Sequence, residues 1–303
     1  MAIVSVAIPY IANWYFESAL RGVRTAAAED GHELDVWVEP PGPAARQHVA
    51  ERIAEQLADP SYVGAIAMHF RLQGKQVEQV TRAGKPVVLV GGRSDELPVV
   101  RLDDVAIARR AAQHLIDLGH HSIAHLGGSV TAPDDFTIRA DRVRGYSEAM
   151  RDAGLEMQAM VRACAFELEE ATRAATSLLS AEDRPTAVFA VVDDVAFGVL
   201  EAARRLGLSV PRDLSVIGID DRDGAAGAGL TTMRQLPEEV GRAAAARLLG
   251  ATDDDDQVID VELVLRSSTA APPRDPGRGV GAPGRLAQLF RRGRTTGRPS
   301  APA

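Results

Sequence analysis

The feature that most constrains this chain is an alternation. Short runs rich in Val, Ile and Ala take turns with longer Ala-, Leu- and Arg-bearing segments whose apolar residues recur at helical spacing. The runs at 3–8, 33–38, 63–67, 87–90, 99–102, 122–126, 187–191 and 214–219 predict strands. The segments at 15–29, 43–58, 73–83, 104–118, 139–153, 168–180, 194–206 and 237–249 predict helices. Gly31, Gly84, Gly119, Gly154 and Gly207 stand where the residue after a helix takes up left-handed backbone. Strand–helix repetition of this kind builds parallel sheets covered by helices. So many units fit either a closed barrel or two doubly wound lobes. Residues 1–120 and 121–235 are of similar length and repeat the same order, which favours two lobes. Lobes of that type bind ligands between them, at the carboxyl ends of the strands.

Composition narrows the function. Of 303 residues, 46% are hydrophobic, 25% charged and 4% aromatic, which excludes collagen, coiled coil and wholesale disorder. The single cysteine, Cys164, can close no intramolecular disulfide and build no zinc ribbon or iron–sulfur site, so a cytoplasmic protein is expected. The first sixteen residues are uncharged but have no basic leader region and no cleavage signature, and no stretch reaches the roughly 20 apolar residues of a membrane helix. No membrane association is expected. The net charge of −8 conceals an asymmetry: residues 272–303 carry seven Arg against Asp275, a surplus of six that leaves residues 1–271 at −14. That tail, dense in Pro, Gly and Arg, is expected to be disordered. The acidic body is poorly suited to grip a phosphate backbone.

Three acidic pairs close predicted strands: Asp103-Asp104, Asp193-Asp194 and Asp220-Asp221. Asp104 and Asp194 are placed to cap the next helix, while Asp103, Asp193 and Asp220 are the expected ligand contacts. Carboxylates at such a place hold hydroxyl groups or, with Mg²⁺, serve phosphoryl chemistry. No phosphate-cradling GxxxxGK[ST] or GxGxxG loop is present, nor a GxSxG elbow or HExxH helix, and Lys75 and Lys85 are the only lysines. Neither a metal nor a cofactor is expected. His121 and His125 are too far apart along a strand to share an ion. Trp14, Tyr15 and Phe16, three of thirteen aromatic residues, follow the first strand and could stack on a sugar or base ring.

The run RPTAVFAVVDDVAFGVLEAARRLGLSVPRDLSVIGIDD (184–221), followed by LTTMRQ (230–235), resembles the effector-binding body of lactose-repressor-type (LacI/GalR) transcriptional regulators. NWYF (13–16), HLIDLGHHSIAHLGG (114–128), RVRGY (142–146) and LVLRSSTAAP (263–272) extend the resemblance over residues 1–271. It implies an α/β fold of two doubly wound, Rossmann-like lobes, periplasmic-binding-protein-like class I. Lobe 1 would be 1–119 plus 236–257, lobe 2 would be 120–235 plus 258–271, and 272–303 the tail. The resemblance places Tyr15 and Phe16 in stacking contact with the ligand, Arg142 as a guanidinium fork, Asp220 and Asp103 as acceptors from the two lobes, and Phe166 as an aromatic wall. Asp193 and Asp104 stand where the family usually has Asn; the added negative charge disfavours an acidic effector and suits a neutral polyol. His69 and Gly91 occupy strand ends where the family varies with ligand.

The family also carries a helix-turn-helix headpiece ahead of this body, and nothing in this sequence resembles one. The expected function is therefore effector sensing, without enzymatic activity. A sugar-like small molecule would bind between the lobes of a homodimer, and operator DNA would be contacted only through a headpiece absent from this chain. A solute-binding protein of a transporter is the alternative, and a Mg²⁺-dependent sugar or phosphate enzyme a more distant one.

Overall fold

The structure is a computed structural model that describes residues 2–10, 13–92, 94–127, 137–253 and 255–273. The expected basic tail lies outside the described residues except for Pro272 and Pro273. All elements belong to one unit, Met1–Pro272. In chain order they are β1 (Ala2–Ile8), α1 (Trp14–Glu29), β2 (His32–Val38), α2 (Ala45–Ala58), β3 (Tyr62–Met68), α3 (Lys75–Thr81), β4 (Val87–Val90), β5 (Val99–Arg101), α4 (Asp104–Asp117), β6 (Ile123–Leu126), α5 (Ile138–Asp152), β7 (Met160–Arg162), α6 (Leu168–Leu179), β8 (Ala187–Ala190), α7 (Asp193–Arg205), β9 (Ser215–Asp220), β10 (Thr231–Arg234), α8 (Pro237–Leu248), β11 (Asp256–Val258) and β12 (Glu262–Val264).

Two six-stranded sheets result, ordered β11-β5-β4-β3-β1-β2 and β12-β10-β9-β8-β6-β7. The first sheet is parallel throughout, and the second is parallel apart from the β10–β12 pair. β4, β8 and β9 are buried along their whole length, because helices cover both faces of a parallel sheet. Their Val- and Ile-rich runs are thus continuous rather than alternating. The α/β, two-lobed reading of the sequence holds.

The chain passes between sheets three times: between β5 and α4, between β10 and α8, and between β11 and β12. The first passage corrects the boundary expected at residue 119. Ile107, Ala108, Ala111, Ala112 and Leu115 of α4 share one apolar core with Tyr146, Ala149 and Met150 of α5, so α4 belongs with the second sheet. β7, β10, β11 and β12 were not predicted. Each has three or four residues, and those of β11 and β12 are too polar and too exposed to show an apolar period.

The return of α8 to the first sheet depends on two glycines. A Cβ at Gly241 would lie 1.9 Å from the carbonyl oxygen of Ala19, and one at Gly22 would lie 1.9 Å from that of Glu238, so α1 and α8 touch backbone to backbone. Gly241→Val is expected to lower stability by about 1–3 kcal/mol or more through overpacking, measured by urea unfolding. A variant as stable as the parent would mean that the two helices do not meet there.

Candidate functional site

Parallel strands end at the same edge of their sheet, and here both sets of carboxyl ends face one cleft. A cavity of about 600 Å³ lies there, within the range of about 300–1,000 Å³ usual for small-molecule sites. Its walls come from the segments after β1 (Tyr10, Asn13, Trp14, Tyr15, Phe16), β3 (His69), β4 (Gly91) and β5 (Leu102, Asp104) of the first sheet. The second sheet contributes the segments after β8 (Val192, Asp194), β9 (Asp220, Arg222) and β10 (Gln235). Ile138, Arg139 and Arg142 of α5 and Ala165, Phe166 and Glu167 ahead of α6 complete it.

Asn13 sets the aromatic wall. Its side-chain oxygen accepts from the Tyr15 amide at 2.9 Å and caps α1, which fixes Trp14, Tyr15 and Phe16 in the first helical turn. Tyr15, Phe16 and the His69 imidazole then meet edge to face in all three pairs, with centroids 5.3–5.5 Å apart. His69 has a φ of +59°, a conformation that a turn at a strand end imposes and that a non-glycine residue seldom adopts. Burial, and behind it the charge of Arg142, lowers its pKa to about 4, so the ring is neutral at physiological pH. On the opposite wall Phe166 is 36% exposed, with the Arg139 guanidinium 4.0 Å from its ring centroid.

Arg142 is only 2% exposed. Its Nε and Nη2 both lie 2.8 Å from Oδ1 of Asp104, and Nη1 donates to the Val191 carbonyl beyond β8. Burial pushes the Asp104 carboxyl up, against the pull of Arg142. Arg222 forms a short ion pair with Asp194. The cavity acids Asp104 and Asp194 therefore each have their own guanidinium, and the excess negative charge expected from the sequence is largely compensated. Asp220, φ +137°, takes one side-chain hydrogen bond among the described residues, from Gln235 Nε2 at 2.6 Å. Burial, then the neighbouring Asp193, raises its pKa well above the ordinary value of an aspartate.

Five of the seven sequence-predicted site residues, Tyr15, Phe16, Arg142, Phe166 and Asp220, line this cavity. Asp103 and Asp193 do not: the expected roles are exchanged in the first pair, while in the second Asp194 faces the cleft, Asp193 is buried and neither caps α7. Asp103 is the cap of α4, accepting from the Ala106 amide at 3.1 Å, and leaves Asp104 to face the cleft. Asp193 is fully buried beneath it. Its Oδ1 accepts from Thr232 Oγ1 at 2.8 Å and its Oδ2 from the Arg222 amide at 3.2 Å. Gly218 leaves room for it, since a Cβ there would stand 2.1 Å from Oδ1. Burial pushes the Asp193 carboxyl up to about 6. Alternation of capping and exposed roles depends on where each helix begins, and the helices start one residue earlier than 194 and after a cap at 103. The sequence reading missed Arg139, Arg222 and Gln235. Arg139 lies three residues before Arg142, hence on the same helix face, and Arg222 directly follows an acidic strand end.

Residues 112–269 match the family model described as a periplasmic binding protein-like domain. The chain is 30% identical over 281 residues to the HTH-type transcriptional repressor CytR of Escherichia coli, covering 89% of this chain and 80% of that one. The chain belongs to the LacI family of transcriptional regulators, and the part described is its effector-binding body. The same fold is seen in a LacI family transcriptional regulator from Enterococcus faecium with bound ribose, with TM-score 0.74, 22% identity, and coverage of 89% of this chain and 99% of that one. It recurs in the LacI family transcriptional regulator CCPA from Weissella paramesenteroides with bound glucose, with TM-score 0.76, 21% identity and coverage of 89% and 98%. Among the described residues no helix is long and apolar enough to cross a membrane, and no group of three or more His, Cys, Asp or Glu is placed to hold a metal ion.

Two outcomes are expected. Arg142→Ala strands Asp104 without its partner and should cost about 3–5 kcal/mol of stability, read by urea unfolding; a loss under about 1 kcal/mol would contradict the buried pair. Because the Asp193 pKa is raised on folding, the native state holds more protons than the unfolded one between about pH 4 and 6, so this group's contribution falls as pH rises through that window. Asp193→Asn should therefore gain stability relative to the parent as pH rises from about 4 to 6. The neutral, buried His69 and His125 give the opposite slope and cancel in this comparison, while Asp220, whose pKa Asp193 raises, titrates lower in the variant and adds to the same gain. A difference independent of pH would mean that Asp193 is not held protonated.

Proposed function

We propose that the cleft binds a sugar or polyol effector and that its occupancy controls the operator affinity of a homodimer. The observation that carries this is the composition of the two walls. Aromatic rings of Tyr15 and Phe16 on one wall and of Phe166 on the other flank Asp220, a carboxyl with acceptor capacity left over, and the guanidiniums of Arg142 and Arg222, each paired with its own aspartate. Apolar ring faces for stacking and hydrogen-bonding groups in the ring plane are what a polyhydroxyl ring requires. Two proteins of the same fold hold ribose and glucose, which agrees with this chemistry.

The site is split between two sheets joined by three strands of chain. A ligand that touches both walls binds the closed arrangement more tightly than the open one, and this difference is the free energy available to shift the lobes. In a dimer such a shift changes the spacing of two DNA-binding headpieces and hence affinity for paired half-sites. The relatives are regulators, and the reading assigns no catalytic step.

The test is a thermal-shift screen of the purified chain against pentoses, hexoses, disaccharides, polyols and nucleobases. A ligand at 100 times its dissociation constant adds about 2.7 kcal/mol. A shift confined to one sugar class is expected. It should be abolished by Asp220→Ala and weakened about three- to tenfold in affinity by Phe166→Ala. A flat response to every sugar and polyol, their phosphates included, or a response only to nucleobases, would overturn the reading.

A further inference from the structure

The effector cavity has a neighbour of different chemistry. A second cavity of about 260 Å³ shares His69, Gly91 and Ile138 with the first; Phe70 and Leu89 form part of its wall, and Arg71, Thr137, Asp141 and Arg144 give it a charged and polar side. Gly91 has a φ of +80°, and a Cβ there would come within 2.9 Å of the His69 ring, so glycine keeps this common wall thin. Any ligand atom that passes His69 leaves the aromatic chamber for a charged one.

The two arginines stand on opposite sides. Arg71 follows β3 of the first sheet, while Arg144 belongs to α5 of the second body. Arg71 meets no carboxylate among the described residues; its guanidinium faces the Gln73 amide. Arg144 lies 3.6 Å from Asp141 and 4.0 Å from Glu148, at distances and exposures where ion pairing is weak. Two guanidiniums face a single lining carboxylate, and the neutral imidazole of His69 adds no charge. The smaller chamber therefore has a positive surplus, whereas the larger one is close to balanced.

Resting on the sugar reading above, we propose that the effector is a sugar phosphate, its ring in the larger chamber and its phosphoryl group in the smaller one between Arg71 and Arg144. A phosphoryl group offers three strong acceptor oxygens and can take hydrogen bonds from two guanidiniums at once. A neutral second sugar ring would leave Arg71 without an anion and Arg144 with only its two long ion pairs. Because the arginines come from different lobes, the phosphoryl group closes the cleft as well as anchoring the ligand.

The test is calorimetric titration of the full chain with matched pairs: ribose and ribose 5-phosphate, glucose and glucose 6-phosphate, fructose and fructose 1-phosphate, with maltose, cellobiose and inorganic phosphate alongside. At least one phosphorylated member should bind about tenfold or more tightly than its parent. In Arg71→Ala and Arg144→Ala, both at exposed positions, that advantage should shrink to about threefold or less while the parent sugar binds as before. Parents that bind as tightly as their phosphates, an advantage that survives both substitutions, or an arginine-dependent preference for a disaccharide would each overturn the sugar-phosphate proposal and leave the sugar reading standing. Failure of every sugar, phosphorylated or not, would overturn both. Binding of inorganic phosphate with no gain for any sugar phosphate would mark the arginines as a nonspecific anion contact and also overturn the proposal.

Discussion

A buried guanidinium must be paired, and the pairing of Arg142 ties fold to site. To satisfy it, α5 must lie where Asp104 opens α4 and where the chain leaves β8 at Val191. Three elements distant in sequence are thus fixed at one point, directly under the cleft. The same requirement explains why Asp103 rather than Asp104 caps α4: the cap leaves the next carboxylate free to turn inward. The neighbouring acids follow the same rule. Asp194 takes Arg222, Asp193 is buried under two hydrogen bonds, and Asp220, bonded by Gln235, keeps capacity for a ligand.

Most of the fold was legible because parallel strands covered on both faces leave an unmistakable trace. The runs ending at Val90 and Ala190 are apolar without interruption, and Gly31, Gly119, Gly154 and Gly207 do take positive φ after their helices. Four strands left no such trace. Asp256–Val258 joins the first sheet through its backbone ladder and the Arg101–Asp256 pair, neither of which has a sequence period. The position of the first crossover was equally hidden, since the apolar stripe of α4 suits either sheet and only its packing on α5 and on β6, β8 and β9 decides between them.

The site was legible in outline and wrong in detail. Strand ends marked Tyr15, Phe16 and Asp220 as cleft residues, and the RVRGY run marked Arg142 through its family resemblance. Which acid of a pair faces the cleft depends on which one caps or opens its helix, a one-residue difference on which composition carries no information. Charge was misleading for a related reason: summed over the sequence, the body is strongly acidic, yet in the cavity each of two acids has an arginine within hydrogen-bond reach. Electrostatics at a site is set by pairs and burial, not by totals.

The central claim is that ligand sits between the lobes and touches both. Hydrogen exchange, followed by mass spectrometry with the first sugar that stabilises the chain, tests it directly. Protection is predicted to rise together at 13–16 and 67–71 of the first sheet and at 139–146 and 220–222 of the second, because one ligand closes one cleft. Protection confined to one lobe, or appearing away from the strand ends, would contradict it.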